Sequence, residues 1–212
     1  MNHLKIFFFV LLLPLNLLAQ ESGKHFFVFL NTNPNKEQLD SVRIAQLQEK
    51  HLANIDRLYT EGKIIAAGPF YGGGGLFIFK ESSIENVQNL LQTDPAIAAK
   101  RFLIEIYPLR FIEGQVCSYD DPAEMITHSF IRIFQQRSEK TENSMGKLLR
   151  NYGNELLTSA VFELDQGGFA VLDTDFDILK KQVPILLNDT EEKVSIRQLY
   201  IAKGTFCRAS KK

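Results

Sequence analysis

The stretch AAGPFYGGGGLFIFK, Ala66 to Lys80, decides how this chain is read. Four consecutive glycines stand just after Gly68-Pro69 and just before an apolar run. A phosphate-binding loop would carry its glycines between a strand and a helix, and would continue into Lys-Ser or Lys-Thr. Here the glycines lead into Leu76-Phe77-Ile78-Phe79, which is strand-like. Pro69 cannot donate to a sheet ladder, so the strand before the glycines, Lys63 to Phe70, should end there. The two strands must reverse as a hairpin, and the glycines are its turn. Four glycines exceed what a turn needs, which leaves close backbone approach to a ligand open.

Working upstream, apolar residues from Glu37 to Glu61 (Leu39, Val42, Leu47, Ile55, Leu58) are spaced mainly for a helix. Gly62 stops it at a position that tolerates left-handed backbone. Before that lies HFFVFLN, His25 to Asn31, a buried strand. Downstream, Ser82 and Glu85 have capping-box spacing, and Ile84, Val87, Leu90 and Leu91 share one helix face. The helix ends at Thr93-Asp94-Pro95, and Phe102 to Leu109 forms a fourth strand. The order β-α-β-β-α-β is the ferredoxin-like unit, so the class is α+β.

The second half repeats the pattern. GGLFIFKESSIENVQNLLQTDP runs in step with GGFAVLDTDFDILKKQVPILLND, and EGQVC (Glu113 to Cys117) with KGTFC (Lys203 to Cys207). The expected organisation is two ferredoxin-like units in tandem, residues 23–116 and 125–212, joined by a polar linker at 117–124. The second unit lacks the first unit's helical His and is degenerate in that sense.

Residues 1–20, MNHLKIFFFVLLLPLNLLAQ, have a Lys-bearing start, an apolar run and a small residue at Ala19. They are expected to be a secretory signal peptide, the other reading being an uncleaved N-terminal anchor. The mature chain would then be extracytoplasmic, periplasmic or secreted, with no membrane association after processing. Loss of Lys5 takes the net charge from −1 to about −2. With 45% hydrophobic and 23% charged residues, the composition is that of a globular protein. Charge this near zero gives no electrostatic basis for nucleic acid as a partner. Seventeen Phe and no Trp point to a Phe-rich core.

His25 and His128 open the first strand of each unit, whereas His51 sits within a helix, in EKHLANIDRL. A helical His is commonly structural, but it is also the side chain best suited to acid/base work near neutrality. The string from His51-Leu52 through Gly62-Lys63-Ile64-Ile65 to Ala67-Gly68-Pro69-Phe70, followed by a glycine turn, Ser83-Ile84-Glu85 and Asp94-Pro95, resembles the YciI-like (YCII-related) family. The resemblance covers Phe26 to Leu109. It implies the dimeric α/β-barrel architecture, here as an intrachain pseudo-dimer whose second unit replaces a partner subunit. It also implies a His-Asp active-site dyad, which by motif falls on His51 and Asp94. Some relatives act on small aromatic compounds, including dehydrochlorination of a hydroxylated ring. The expected partner is therefore a small-molecule ligand, aromatic by analogy, held beside Gly68, Pro69, Phe70 and Tyr71. Homodimerisation through the first units stays open.

Two positions depart from the family pattern. Gln48 stands where an Arg is common, which removes a contact for an anionic substrate. Lys100 stands where a Gly is common, beside the entry to the fourth strand. These departures favour a second reading, a non-catalytic ligand-binding or structural module. Cys117 and Cys207 end equivalent segments. They can pair only if the fold brings their Cα atoms within about 7 Å, and that stays open. No Cys/His spacing suggests a metal and no nucleophile elbow is present, so no cofactor is expected.

Overall fold

A computed structural model describes residues 23–119, 123–134, 138–187 and 193–208. The leader at 1–20 and residues 120–122 of the expected linker lie outside the described residues. The first half runs β1 (Lys24–Thr32), α1 (Ser41–Thr60), β2 (Ile64–Pro69), β3 (Gly75–Glu81), α2 (Ile84–Gln92), a single helical turn α3 (Pro95–Ala98), β4 (Phe102–Glu113) and β5 (Gln115–Val116). The second half runs β6 (Met125–Ile133), α4 (Ser138–Tyr152), β7 (Leu156–Phe162), β8 (Gly168–Leu172), α5 (Phe176–Leu186), β9 (Val194–Ala202) and β10 (Phe206–Cys207).

Three local details differ from the sequence expectation. Helix α1 starts at Ser41, not near Glu37, because the Asp40 side chain accepts from Arg43 N at 2.9 Å and caps it there. Helix α2 is capped by Ser83 rather than Ser82, through Ser83 Oγ and Asn86 N. Glu85 then falls in the first turn, where a carboxylate suits the helix dipole. Strand β4 continues past Leu109 to Glu113. Its first part pairs with β1 and its last part with β7, a partner from the other half of the chain.

Eight strands make one antiparallel sheet in the order β2-β3-β1-β4-β7-β8-β6-β9. Each half supplies four neighbouring strands in the same relative order. The two outer strands approach each other: Phe70 bridges Leu199, and Tyr71 N donates to Gln198 O at 2.9 Å. The apolar strands are unbroken because both faces are covered. In β1, Phe27 and Phe29 enter a central cluster with Phe70, Phe130, Phe162 and Phe169. The alternate residues Phe26, Val28 and Leu30 pack with Leu58, Val87 and Leu91 of α1 and α2. The second half does the same, with Ile131 and Ile133 against Met145, Leu148, Leu179 and Val183. Phe130 stacks on Phe169 at 5.5 Å and Tyr107 on Phe162 at 4.6 Å, so aromatic rings from both halves fill the centre.

The glycine run has a backbone cause at every position. Gly72, Gly73 and Gly74 have φ of 86°, 105° and 73°, which L side chains rarely adopt. Gly75 has ordinary φ, but a Cβ there would lie 2.7 Å from Gly68 O. Gly68 is hemmed in similarly: a Cβ would lie 2.6 Å from Tyr200 O, across the junction with β9. The short β5 and β10 pair antiparallel, and Cys117 and Cys207 are disulfide-bonded beside them with Cα atoms 6.0 Å apart.

Candidate functional site

Helix α1 lays one face on the outer side of the sheet, where His51, Asn54 and Leu58 are buried. These residues are three and four apart and therefore share that face. Asp94 follows α2 and caps α3: its Oδ1 accepts from Ala96 N at 2.8 Å and Ile97 N at 3.2 Å. Its other oxygen, Oδ2, lies 2.7 Å from His51 Nδ1. Asp94 is 1% exposed and His51 8% exposed. A carboxylate is acceptor-only. With Oδ1 already accepting two backbone N–H groups, His51 Nδ1 is the donor to Oδ2. The neutral ring then carries its lone pair on Nε2.

A second set of polar contacts sets the distance between the two helices. Arg57 Nη2 donates to Asn54 Oδ1 at 2.8 Å and to Thr93 Oγ1 at 3.0 Å. Thr93 Oγ1 donates to Leu90 O at 2.7 Å. Arg57 also pairs with Glu61 at 2.8 Å. Together these tie α1 to the residue immediately before Asp94. The sequence reading did not single out Asn54, Arg57 or Thr93. The signal available was spacing, since Asn54 lies three residues after His51 and Thr93 directly precedes Asp94.

His51 lines a cavity of about 360 Å³ between α1 and the sheet. Leu52 and Ile55 of α1 form one wall, and Phe77 and Phe102 the floor. The Phe77 and Phe102 rings lie 6.2 and 5.9 Å from the imidazole. Gln48 is the other polar side chain from α1, and Met125 of β6 reaches in from the second half. Of the four residues expected beside the ligand, Gly68 and Pro69 line this cavity. Phe70 and Tyr71 do not. Phe70 is 3% exposed and packs inside the sheet against Phe130 at 5.0 Å, with the Arg197 guanidinium 4.2 Å over its ring. Tyr71 is 72% exposed. The reason is the pleat: past Pro69 the chain meets β9, and successive side chains turn inward and outward. Lys100, at the entry to β4, has φ of 54°, the left-handed region where the absent glycine would fit. Among the described residues, no group of three or more His, Cys, Asp or Glu side chains is placed to hold a metal ion.

No family model matches the chain, and no curated protein matches it. Solved structures do. A "putative monooxygenase" of Fusobacterium nucleatum subsp. nucleatum ATCC 25586 superposes with a TM-score of 0.50 at 8% identity, covering 90% of this chain and 100% of that one. A "putative monooxygenase" of Lactobacillus acidophilus NCFM gives a TM-score of 0.50 at 10% identity, covering 89% of this chain and 100% of that one. The fold is of the dimeric α/β-barrel type. At such identities the likeness is one of fold alone. It extends through both halves of the chain, wider than the first-half motif that carries the YciI-like resemblance.

Proposed function

We propose that this chain is an exported small-molecule enzyme of the lyase or isomerase type, with His51 as general base and acid and Asp94 as the group that orients it. The observation that carries the reading is the 2.7 Å contact between His51 Nδ1 and Asp94 Oδ2 at the wall of a largely apolar cavity. Nε2 takes a proton from a phenol or an activated carbon, and Asp94 stabilises the imidazolium that forms. The electron pair left on the substrate either accepts the proton back at a neighbouring atom or expels a leaving group. The Phe77 and Phe102 rings give the imidazole apolar neighbours, and an apolar surrounding strengthens the electrostatic contribution of Asp94.

In this reading the second half is a covalently attached counterpart of a partner subunit. Its Met125 completes the cavity, and the first half carries the catalytic pair. A tandem pseudo-dimer of YciI-like ancestry accounts for the identical strand order in the two halves. Export is supported by the leader-like residues 1–20 and by the Cys117–Cys207 disulfide, which persists in oxidising compartments.

A panel of small phenols and halogenated hydroxyaromatics, followed by absorbance and halide release, tests the proposal. Turnover by the wild type that drops about 10²–10⁴-fold in His51→Gln supports it. One observation favours the second reading, a binding module. Gln48 rather than a cation shares the cavity with His51, so an anionic substrate has no fixed countercharge there. Saturable binding without turnover by the wild type would select that reading.

A further inference from the structure

The two halves of the chain meet at two junctions that correspond to each other. Because the strand order repeats, β7 beside β4 at one junction matches β2 beside β9 at the other. Phe162 opposite Leu109 at the first is matched by Phe70 opposite Leu199 at the second. Glu163 N donates to Pro108 O at 2.9 Å, as Tyr71 N does to Gln198 O at 2.9 Å. Beyond these pairs the junctions differ. The first continues as a ladder through Val161 with Arg110 and Ala160 with Phe111. Alternate residues donate across an antiparallel ladder, so the second would next need an N–H from residue 69, and Pro69 has none.

Arg197 stands at this thinner junction. It lies two residues before Leu199 in β9, so the two side chains share one face of the sheet. The corresponding residue of the first half is Tyr107, whose ring stacks on Phe162 at 4.6 Å. The Arg197 guanidinium takes that place over Phe70, 4.2 Å from the ring centre, and its Nη2 also donates to Gly73 O. Gly73 is the middle of the three positive-φ glycines, and the run 72–75 has no side chains with which to fix itself to the sheet. The next two residues, Gly74 and Gly75, line the His51 cavity together with Gly68 and Pro69. Arg197 therefore reaches the cavity through the backbone of the turn.

We propose that Arg197 is a positioning residue of the His51 site: from the second half it holds the glycine turn, and through it Gly74 and Gly75, in place as a wall of the cavity. The role rests on the reading of that cavity as the functional site. It gives the second half a part in the site beyond Met125, exerted through a single backbone carbonyl.

Amide hydrogen exchange and side-chain NMR of the isotope-labelled full chain test this, in the wild type, Arg197→Met and Arg197→Lys. Met keeps an apolar stem on Phe70 and removes the donor. Phe70 N donates to Gly74 O, Gly73 N to Phe70 O and Tyr71 N to Gln198 O, so these three amides report on the turn. In Arg197→Met they should exchange about tenfold faster, the factor for one lost charge-assisted hydrogen bond. The His51 ring and Leu30 methyl resonances, both from the cavity lining, should shift with them. Glu163 N–H, the matching group at the other junction, should keep its protection. Arg197→Lys, which retains a charged donor, should stay close to the wild type. Any one of four results overturns the proposal: unchanged exchange at the turn in Arg197→Met, an equal acceleration at Glu163, a faster turn with unmoved His51 and Leu30 resonances, or an Arg197→Lys variant as loose as Arg197→Met. None of these readings uses turnover. Failure of the acid/base reading would appear instead as a wild type inert in the phenol assays, with the exchange results unaffected.

Discussion

His51 Nδ1 and Asp94 Oδ2 stand 2.7 Å apart, although 43 residues separate them in the chain. The contact exists because Asp94 does two things at once. One oxygen caps α3 and the other receives His51, so the geometry of the cap fixes the direction of the carboxylate. Truncating Asp94 therefore removes a helix cap and a buried hydrogen bond together.

Asp94→Ala should destabilise the protein by about 2–4 kcal/mol, combining a lost cap with a lost charged hydrogen bond. Asp94→Asn keeps a cap and should cost less. Urea denaturation of both variants measures this. Equal stability of Asp94→Ala and the wild type would mean that the carboxylate is not engaged as described.

The glycine run should be unequal in its tolerance. At Gly72 a Cβ would meet nothing within 4 Å, so Gly72→Ala carries only the strain of positive φ, about 1 kcal/mol. At Gly74 a Cβ would lie 2.2 Å from Leu30 O, and at Gly68 2.6 Å from Tyr200 O. Both are backbone atoms, so Gly74→Ala and Gly68→Ala should each cost about 2 kcal/mol or more. Thermal denaturation of the three variants should separate Gly72→Ala from the other two.

Lys100 adopts φ of 54° with a side chain that disfavours it. Lys100→Gly should raise stability by about 0.5–1 kcal/mol, less any gain in unfolded-chain entropy. The Asn33 Nδ2 bond to Lys100 O, 2.8 Å, involves only the backbone of residue 100 and should survive. A fall in melting temperature would contradict this.

Stability should also fall in acid through Glu105. Burial pushes its carboxyl up, but hydrogen bonds from Arg132, Tyr107 and Asn31 outweigh burial and hold it below its ordinary range. The same cluster, through burial and the Glu105 charge, pushes Tyr107 up to about 12. A carboxyl lowered by folding contributes stability above its unfolded value, about 4.3, and that contribution is lost as pH falls through the folded value. Arg132→Met should lower stability at pH 7 and flatten its dependence on pH below about 4.3. An unchanged pH profile in Arg132→Met would show that the pair does not couple.

The sequence made the coarse fold legible because its signals are local. The unbroken apolar run in HFFVFLN, the stop at Gly62 and the hairpin at Gly72 to Gly75 are each read within a few residues. What escaped depends on chain brought from elsewhere. The extension of β4 to Glu113 exists only because β7 pairs with it, and Phe70 turns inward only because β9 lies beside it. The choice of Ser83 over Ser82 as cap was ambiguous because both are serines. At the candidate site, the motif named His51 and Asp94 through resemblance. The Asn54–Arg57–Thr93 bonds that hold their helices in place carry no motif at all.

The central claim is that Asp94 fixes the His51 ring so that Nε2 faces the cavity as a base. Long-range ¹H–¹⁵N NMR of the neutral His51 ring, in the wild type and in Asp94→Asn, tests it most directly. The account predicts the Nδ1–H tautomer in the wild type, and its loss or mixing with the Nε2–H form in Asp94→Asn. An Nε2–H tautomer in the wild type, or the same tautomer balance in both proteins, would contradict it.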